Sequence, residues 1–136
     1  MSEDLSDFYL LLVDDEADFR DSAQQYFEKR GYRVTAVANG AAALAALQTQ
    51  QFDVAVVDVH MPEMDGVQLL ERLRVEDETL QGIMLTGGAT IPTAVASIKA
   101  GAVDYVTKPS RPADLDRVIP KAAGMSACLF VIASLR

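Results

Sequence analysis

The chain has one cysteine, one histidine and few basic residues, and each scarcity removes a class of function. Cys128 alone cannot form an internal disulfide framework or build a thiolate metal site, and it fits a reducing cytosol. His60 alone leaves a zinc centre or a histidine relay resting on one side chain. Lys and Arg number 12 against 20 Asp and Glu, a formal charge of -8, and no basic cluster is visible. Direct grip on nucleic-acid phosphates is therefore disfavoured. No apolar run approaches the roughly 18 residues that a membrane span needs. The start MSEDLSD is acidic and polar, without the basic region and apolar stretch of a secretory signal. The expectation is a cytoplasmic protein with no direct contact to nucleic acid or membrane.

What is present is a core-forming composition, with 50% apolar residues in 136, sized for one domain. Phe8 to Val13 is a continuous apolar run, followed by Phe19, Ala23, Tyr26 and Phe27 at helical spacing until Gly31 supplies a left-handed stop. Tyr32 to Val37 alternates with β-branched residues, Asn39 and Gly40 punctuate, and Ala41 to Leu47 is an alanine-rich helix. Phe52 to Val57 is a third strand, and Asp65 caps a helix carrying Val67, Leu69, Leu70 and Leu73 on one face, with Gly66 as a turn residue. Ile83 to Leu85 follows. Thr90 and Pro92 open a helix whose inner face holds Ala94, Val95 and Ile98 and which Gly101 ends. Val103 to Val106 is the fifth strand, and Ser110 caps a last helix from near Pro112.

Five strand–helix alternations, with strands apolar on both faces, predict an α/β fold: a doubly wound parallel (βα)5 sheet of flavodoxin-like strand order 2-1-3-4-5. Ligands in such sheets bind beyond the carboxyl ends of the strands, where strand order reverses. Four segments place polar residues there: LLLVDDE with Asp14 and Asp15, VAVVDVHMPEMDG with Asp58, IMLTGG with Thr86, and YVTKP with Lys108. In the 2-1-3-4-5 order the first and third strands are neighbours, so the three carboxylates converge.

Two unit charges about 4 Å apart at an effective dielectric near 20 repel by roughly 4 kcal/mol, so the cluster calls for a cation. All-oxygen donors without sulfur or a histidine pair favour a hard ion, Mg2+ above all. A carboxylate beside such an ion can act as nucleophile toward phosphorus, and Asp58 is the best placed. Thr86 can donate to a phosphoryl oxygen, Gly87 and Gly88 leave room for it, and Lys108 offers a fixed positive charge. Read one at a time, Asp14 and Asp15 are helix caps, Thr86 a solvated loop residue, Lys108 a surface lysine and Tyr105 core packing. The order of the four segments makes the cap reading the lesser one.

That combination resembles the receiver domain of two-component response regulators over roughly Phe8 to Ala122. The resemblance implies transfer of a phosphoryl group from a phosphohistidine of a sensor histidine kinase, or of a phosphotransfer protein, to Asp58. It implies Mg2+ held by Asp15, Asp58 and the backbone carbonyl of His60, with Asp14 assisting. It further implies Lys108 pairing with the phosphoryl group, a switch through Thr86 and Tyr105, and a cis peptide between Lys108 and Pro109. The face of the fourth helix, fifth strand and fifth helix would then control an effector domain or partner, with a homodimer through that face among its implied assemblies. On this reading residues 1–123 are the phospho-acceptor domain and 124–136 an apolar tail, SACLFVIASLR after Met125, without room for an effector. Pro120 ends or kinks the last helix.

Three competing functions stand beside this one, and the intact constellation disfavours the first of them, a pseudo-receiver that only binds partners. A Mg2+-dependent aspartyl-phosphate phosphatase or phosphotransferase of haloacid-dehalogenase type needs a second carboxylate two residues after the nucleophile, where this chain has His60. A flavin or nucleotide module needs a loop that cradles phosphate after the first strand, where this chain has the acidic DDEAD. The phospho-acceptor switch, not a turnover enzyme, is the expectation.

Overall fold

The computed structural model describes residues 8–59, 61, 65–86, 95–96, 98–107, 112–116 and 118–119. In chain order these form β1 (Tyr9–Val13), α1 (Ala17–Lys29), β2 (Arg33–Val37), α2 (Gly40–Leu47), β3 (Val54–Asp58), α3 (Gly66–Glu76) and β4 (Gln81–Thr86). Helical residues 95–96 and 98–99 make α4, followed by β5 (Ala102–Thr107) and α5 (Pro112–Asp116). The strands pair in parallel in the order β2-β1-β3-β4-β5, as the alternation of elements predicts.

Strand residues two apart share a face of the sheet, and this periodicity divides the core in two. Leu10, Leu12, Val54, Val56, Ile83 and Leu85 meet Ala23 and Phe27 of α1 and Leu115 of α5. Leu11, Val13, Ala55, Val57 and Met84 meet Ala43 of α2 and Leu69, Leu70 and Leu73 of α3. β1 and β3 are therefore buried on both faces, which is why they read as unbroken apolar runs. Truncating a side chain such as Leu12, which is 1% exposed, to alanine would cost about 2–5 kcal/mol.

Local signals set the helix ends. Gly31 and Gly101 adopt φ of 99° and 103°, the left-handed conformation expected at those two stops. Asn39 and Gly40 do more than punctuate: Asn39 Oδ1 accepts the Ala42 N–H at 2.8 Å and Gly40 is the first residue of α2. Asp65 caps α3 by accepting the Val67 N–H at 2.8 Å, as expected.

Gly66, expected in a turn, is instead the buried first residue of α3. Val95 and Ile98 do not line an inner face; they are 46% and 56% exposed. Ala96 of α4 is instead half-buried and Ala100, in the turn that follows, is buried, the Ala100 N–H donating to the Ala96 carbonyl at 3.0 Å. The larger apolar residues had suggested the opposite face because apolar spacing marks a stripe without saying which stripe is covered. Thr90, Pro92, Ala94, Ser110, Pro120 and the tail from 124 lie outside the described residues. α5 spans Pro112–Asp116, followed by a turn at Val118.

An aromatic and polar junction fastens α5 to the other end of the chain. Phe27 packs edge-on against Tyr32 at 5.2 Å, and Phe8 lies 5.0 Å from Tyr32. Asp116 accepts hydrogen bonds from the Tyr32 hydroxyl at 2.8 Å and the Tyr26 hydroxyl at 3.2 Å, and it pairs with Arg30 Nε at 2.9 Å. Burial, and then the neighbouring Asp116 charge, raise the Tyr26 hydroxyl above its ordinary value.

Candidate phosphoryl-acceptor site

The site begins with register. Val13 of β1 stands level with Val57 of β3, so the next residues, Asp14 and Asp58, leave the two strands side by side. The two-residue alternation keeps them in phase, on the side of Leu12 and Val56. Carboxylate oxygens of Asp14, Asp15 and Asp58 all lie within 4.8 Å of one another. Asp14 is 0% and Asp58 3% exposed, whereas Asp15 faces solvent.

Asp14 is fixed at three points. Its N–H donates to the Val37 carbonyl at 3.1 Å, which joins it to β2. Its Oδ1 accepts the Glu16 N–H at 2.8 Å, and its own carbonyl accepts from Arg20 Nη1 at 2.8 Å. One Asp14 carboxylate thus accepts the N–H of the α1 N-cap residue, Glu16, and also stands in the acidic cluster. Glu16, the N-cap residue of α1, makes no side-chain cap of its own.

Asp58 is held from the other side. The following Val59 N–H donates to the Leu85 carbonyl of β4 at 2.8 Å, and the Val59 carbonyl accepts the Gly66 N–H at 2.9 Å. A Cβ at Gly66 would collide with the Asp58 carbonyl oxygen and lie 2.8 Å from Val59 Cα. Glycine lets the first turn of α3 close over the end of β3, and no spacing rule in the sequence exposes that requirement.

Thr86 ends β4, one strand from Asp58, and pairs in register with Thr107, the last residue of β5. Tyr105 lies within β5, opposite Met84, and the register between β4 and β5 shifts at Gly82/Ile83. His60, Lys108 and Pro109 lie outside the described residues. The structure therefore brings together Asp14, Asp15 and Asp58, and puts the Thr86 backbone at the same strand-end edge. Arg20 and Gly66 are the site-supporting residues that the sequence did not reveal.

The donor set fits a hard divalent cation. It is made of oxygen alone, it carries negative charge, and two of its three members are buried side by side. Two buried carboxylates at this separation repel by roughly 3–4 kcal/mol at an effective dielectric near 20, which a bound cation would relieve.

The response regulator receiver domain model matches residues 10–120. The chain belongs to that family. It is 34% identical over 114 residues to the transcriptional regulatory protein FixJ of Bradyrhizobium diazoefficiens, covering 84% of this chain and 56% of that protein. Among solved structures, a CheY-like response regulator receiver domain protein from Methanospirillum hungatei JF-1 superposes with a TM-score of 0.81 at 34% identity, covering 86% of this chain and 94% of the other. A response regulator from Burkholderia pseudomallei, solved with a phosphorylated aspartic acid, a calcium ion and citrate, gives 0.79 at 29% identity over 86% of this chain and 69% of its own. This receiver thus spans about half of the curated FixJ relative. Among the described residues no helix is long and apolar enough to cross a membrane.

Proposed function

We propose that this receiver accepts a phosphoryl group on Asp58 in a Mg2+-dependent reaction and acts as a switch. The observation that carries the reading is the meeting of Asp14, Asp15 and Asp58, within 4.8 Å, at the adjoining ends of β1 and β3. The Burkholderia pseudomallei relative, solved with a phosphorylated aspartic acid and a calcium ion, lends it support.

Asp15, Asp58 and the His60 carbonyl would hold the ion, with Asp14 assisting through its carboxylate. When bound, the ion supplies neutralisation of the phosphoryl oxygens. An Asp58 carboxylate oxygen attacks phosphorus, the bond from phosphorus to a histidine nitrogen of the donor breaks, and that nitrogen keeps the electron pair. The donor is a sensor histidine kinase or a phosphotransfer protein. Lys108 pairs with the transferred group and Thr86 donates to it, two charge-assisted contacts of about 1.5–3 kcal/mol each. Such contacts favour whichever conformation draws these residues inward, and Tyr105 follows. The surface of α4, β5 and α5 then governs an effector domain, a partner protein or a second copy of the chain. On this reading residues 1–123 make the switch, 124–136 are an appended tail, and the cytoplasm is its place of work.

Incubation with Mg2+ and acetyl phosphate, followed by intact mass measurement, tests the reading. One added phosphoryl group is expected on the wild type and none on Asp58→Asn or after chelation. Steady turnover of small phosphoesters would favour the phosphatase instead.

A further inference from the structure

We propose that Arg20 is a positioning residue for the divalent-cation site, an inference that rests on the Mg2+-dependent acceptor reading above. Arg20 lies in the first turns of α1, where its N–H donates to the Glu16 carbonyl at 3.0 Å. From there its side chain reaches back six residues, and Nη1 donates to the Asp14 carbonyl at 2.8 Å. That carbonyl belongs to the peptide joining Asp14 to Asp15, the two cluster members contributed by this loop. Fixing its plane fixes how both carboxylates leave the chain.

The contact orders a segment where α1 has no side-chain cap bond at Glu16 and Asp15 is exposed. Among the bonds that hold the segment from Asp14 to Glu16 are the Asp14 N–H to the Val37 carbonyl, the Asp14 Oδ1 bond to the Glu16 N–H and the Arg20 side-chain bond to the Asp14 carbonyl, and of these only the last comes from a side chain outside the segment. Outer partners that orient metal ligands commonly carry 10–100-fold of metal affinity.

The charge of Arg20 makes the test decisive. A cation held on the peptide between Asp14 and Asp15 opposes the arrival of a second cation at their carboxylates, so its field alone predicts that Arg20→Ala binds Mg2+ more tightly. Positioning predicts the reverse. Mg2+ binding measured by calorimetry should show a Kd raised about 10-fold in Arg20→Ala and less in Arg20→Lys, which keeps a donor and the charge. At saturating Mg2+, phosphorylation by acetyl phosphate should return close to the wild-type rate, which a general loosening of the fold would not allow.

An unaltered or lowered Kd in folded Arg20→Ala overturns the inference while leaving the acceptor reading in place. Should circular dichroism find Arg20→Ala unfolded, a raised Kd in Arg20→Lys supports the inference and an unaltered one overturns it. Wild type that fails to bind Mg2+ at all overturns the acceptor reading and the inference with it.

Discussion

Gly66 sits against the backbone of Asp58 so closely that a single added carbon would overlap the Asp58 carbonyl oxygen. The first turn of one helix is thereby seated on the strand end that carries the candidate nucleophile. Gly66→Ala must push either α3 or the end of β3 away. The expected destabilisation is about 1–3 kcal/mol, the range for forced overpacking, with a marked loss of phosphorylation by acetyl phosphate. Urea unfolding and intact mass measurement check the two effects, and an unaltered variant would show that the contact yields easily.

Asp58→Asn removes one charge from two adjacent buried carboxylates. Without divalent ions and at low salt it is expected to melt higher than the wild type, by an amount on the order of 1–2 kcal/mol. Mg2+ at about 100 times its Kd should add about 2.7 kcal/mol to the wild type and much less to the variant. Melting curves with and without Mg2+ would show the crossing.

Asp116 receives Tyr26, Tyr32 and Arg30 together, so Asp116→Ala strips three partners at once. A loss of about 1–3 kcal/mol in urea is expected. The Tyr26 hydroxyl, raised by burial and by Asp116, holds its proton more tightly in the folded state than at its unfolded value of 10.0. Its stabilising contribution is complete below pH 10.0 and fades as pH climbs through the higher folded value. Tyrosinate absorbance, uncluttered because the chain has no tryptophan, should show a late-titrating tyrosine that Tyr26→Phe removes.

Val95 and Ile98 are exposed on α4. Val95→Ala and Ile98→Ala should each alter stability by less than about 0.5 kcal/mol, against about 2–5 kcal/mol for Ile83→Ala in the core. Denaturant midpoints distinguish these outcomes directly.

The strands were legible because a doubly covered parallel sheet demands unbroken apolar runs, and the acids were legible because they follow such runs at Val13 and Val57. Asp65 and Gly31 were legible as local chemistry, a cap and a left-handed stop. What the sequence hid depends on chain segments meeting at a distance. The Tyr26 hydroxyl finds Asp116 90 residues away, and Gly66 matters only because the end of β3 lies beneath it. Arg20 looks like any basic residue on an amphipathic helix until the loop before it is folded back. For α4 the apolar stripe was visible but its direction was not, since Ala96 and Ala100 offer a weaker signal than Val95 and Ile98.

Because β2 lies outside β1 at the sheet edge, the chain leaves β1, visits that edge and returns to lay β3 along the other side of β1. Neither a peptide ending before β3 nor one beginning after α1 owns the acidic triplet. Splitting the chain within the connection after α2 should yield two inert halves, and mixing them should restore ion binding only as far as β1 and β3 find each other. Affinity for the ion would then serve as a gauge of reassembly.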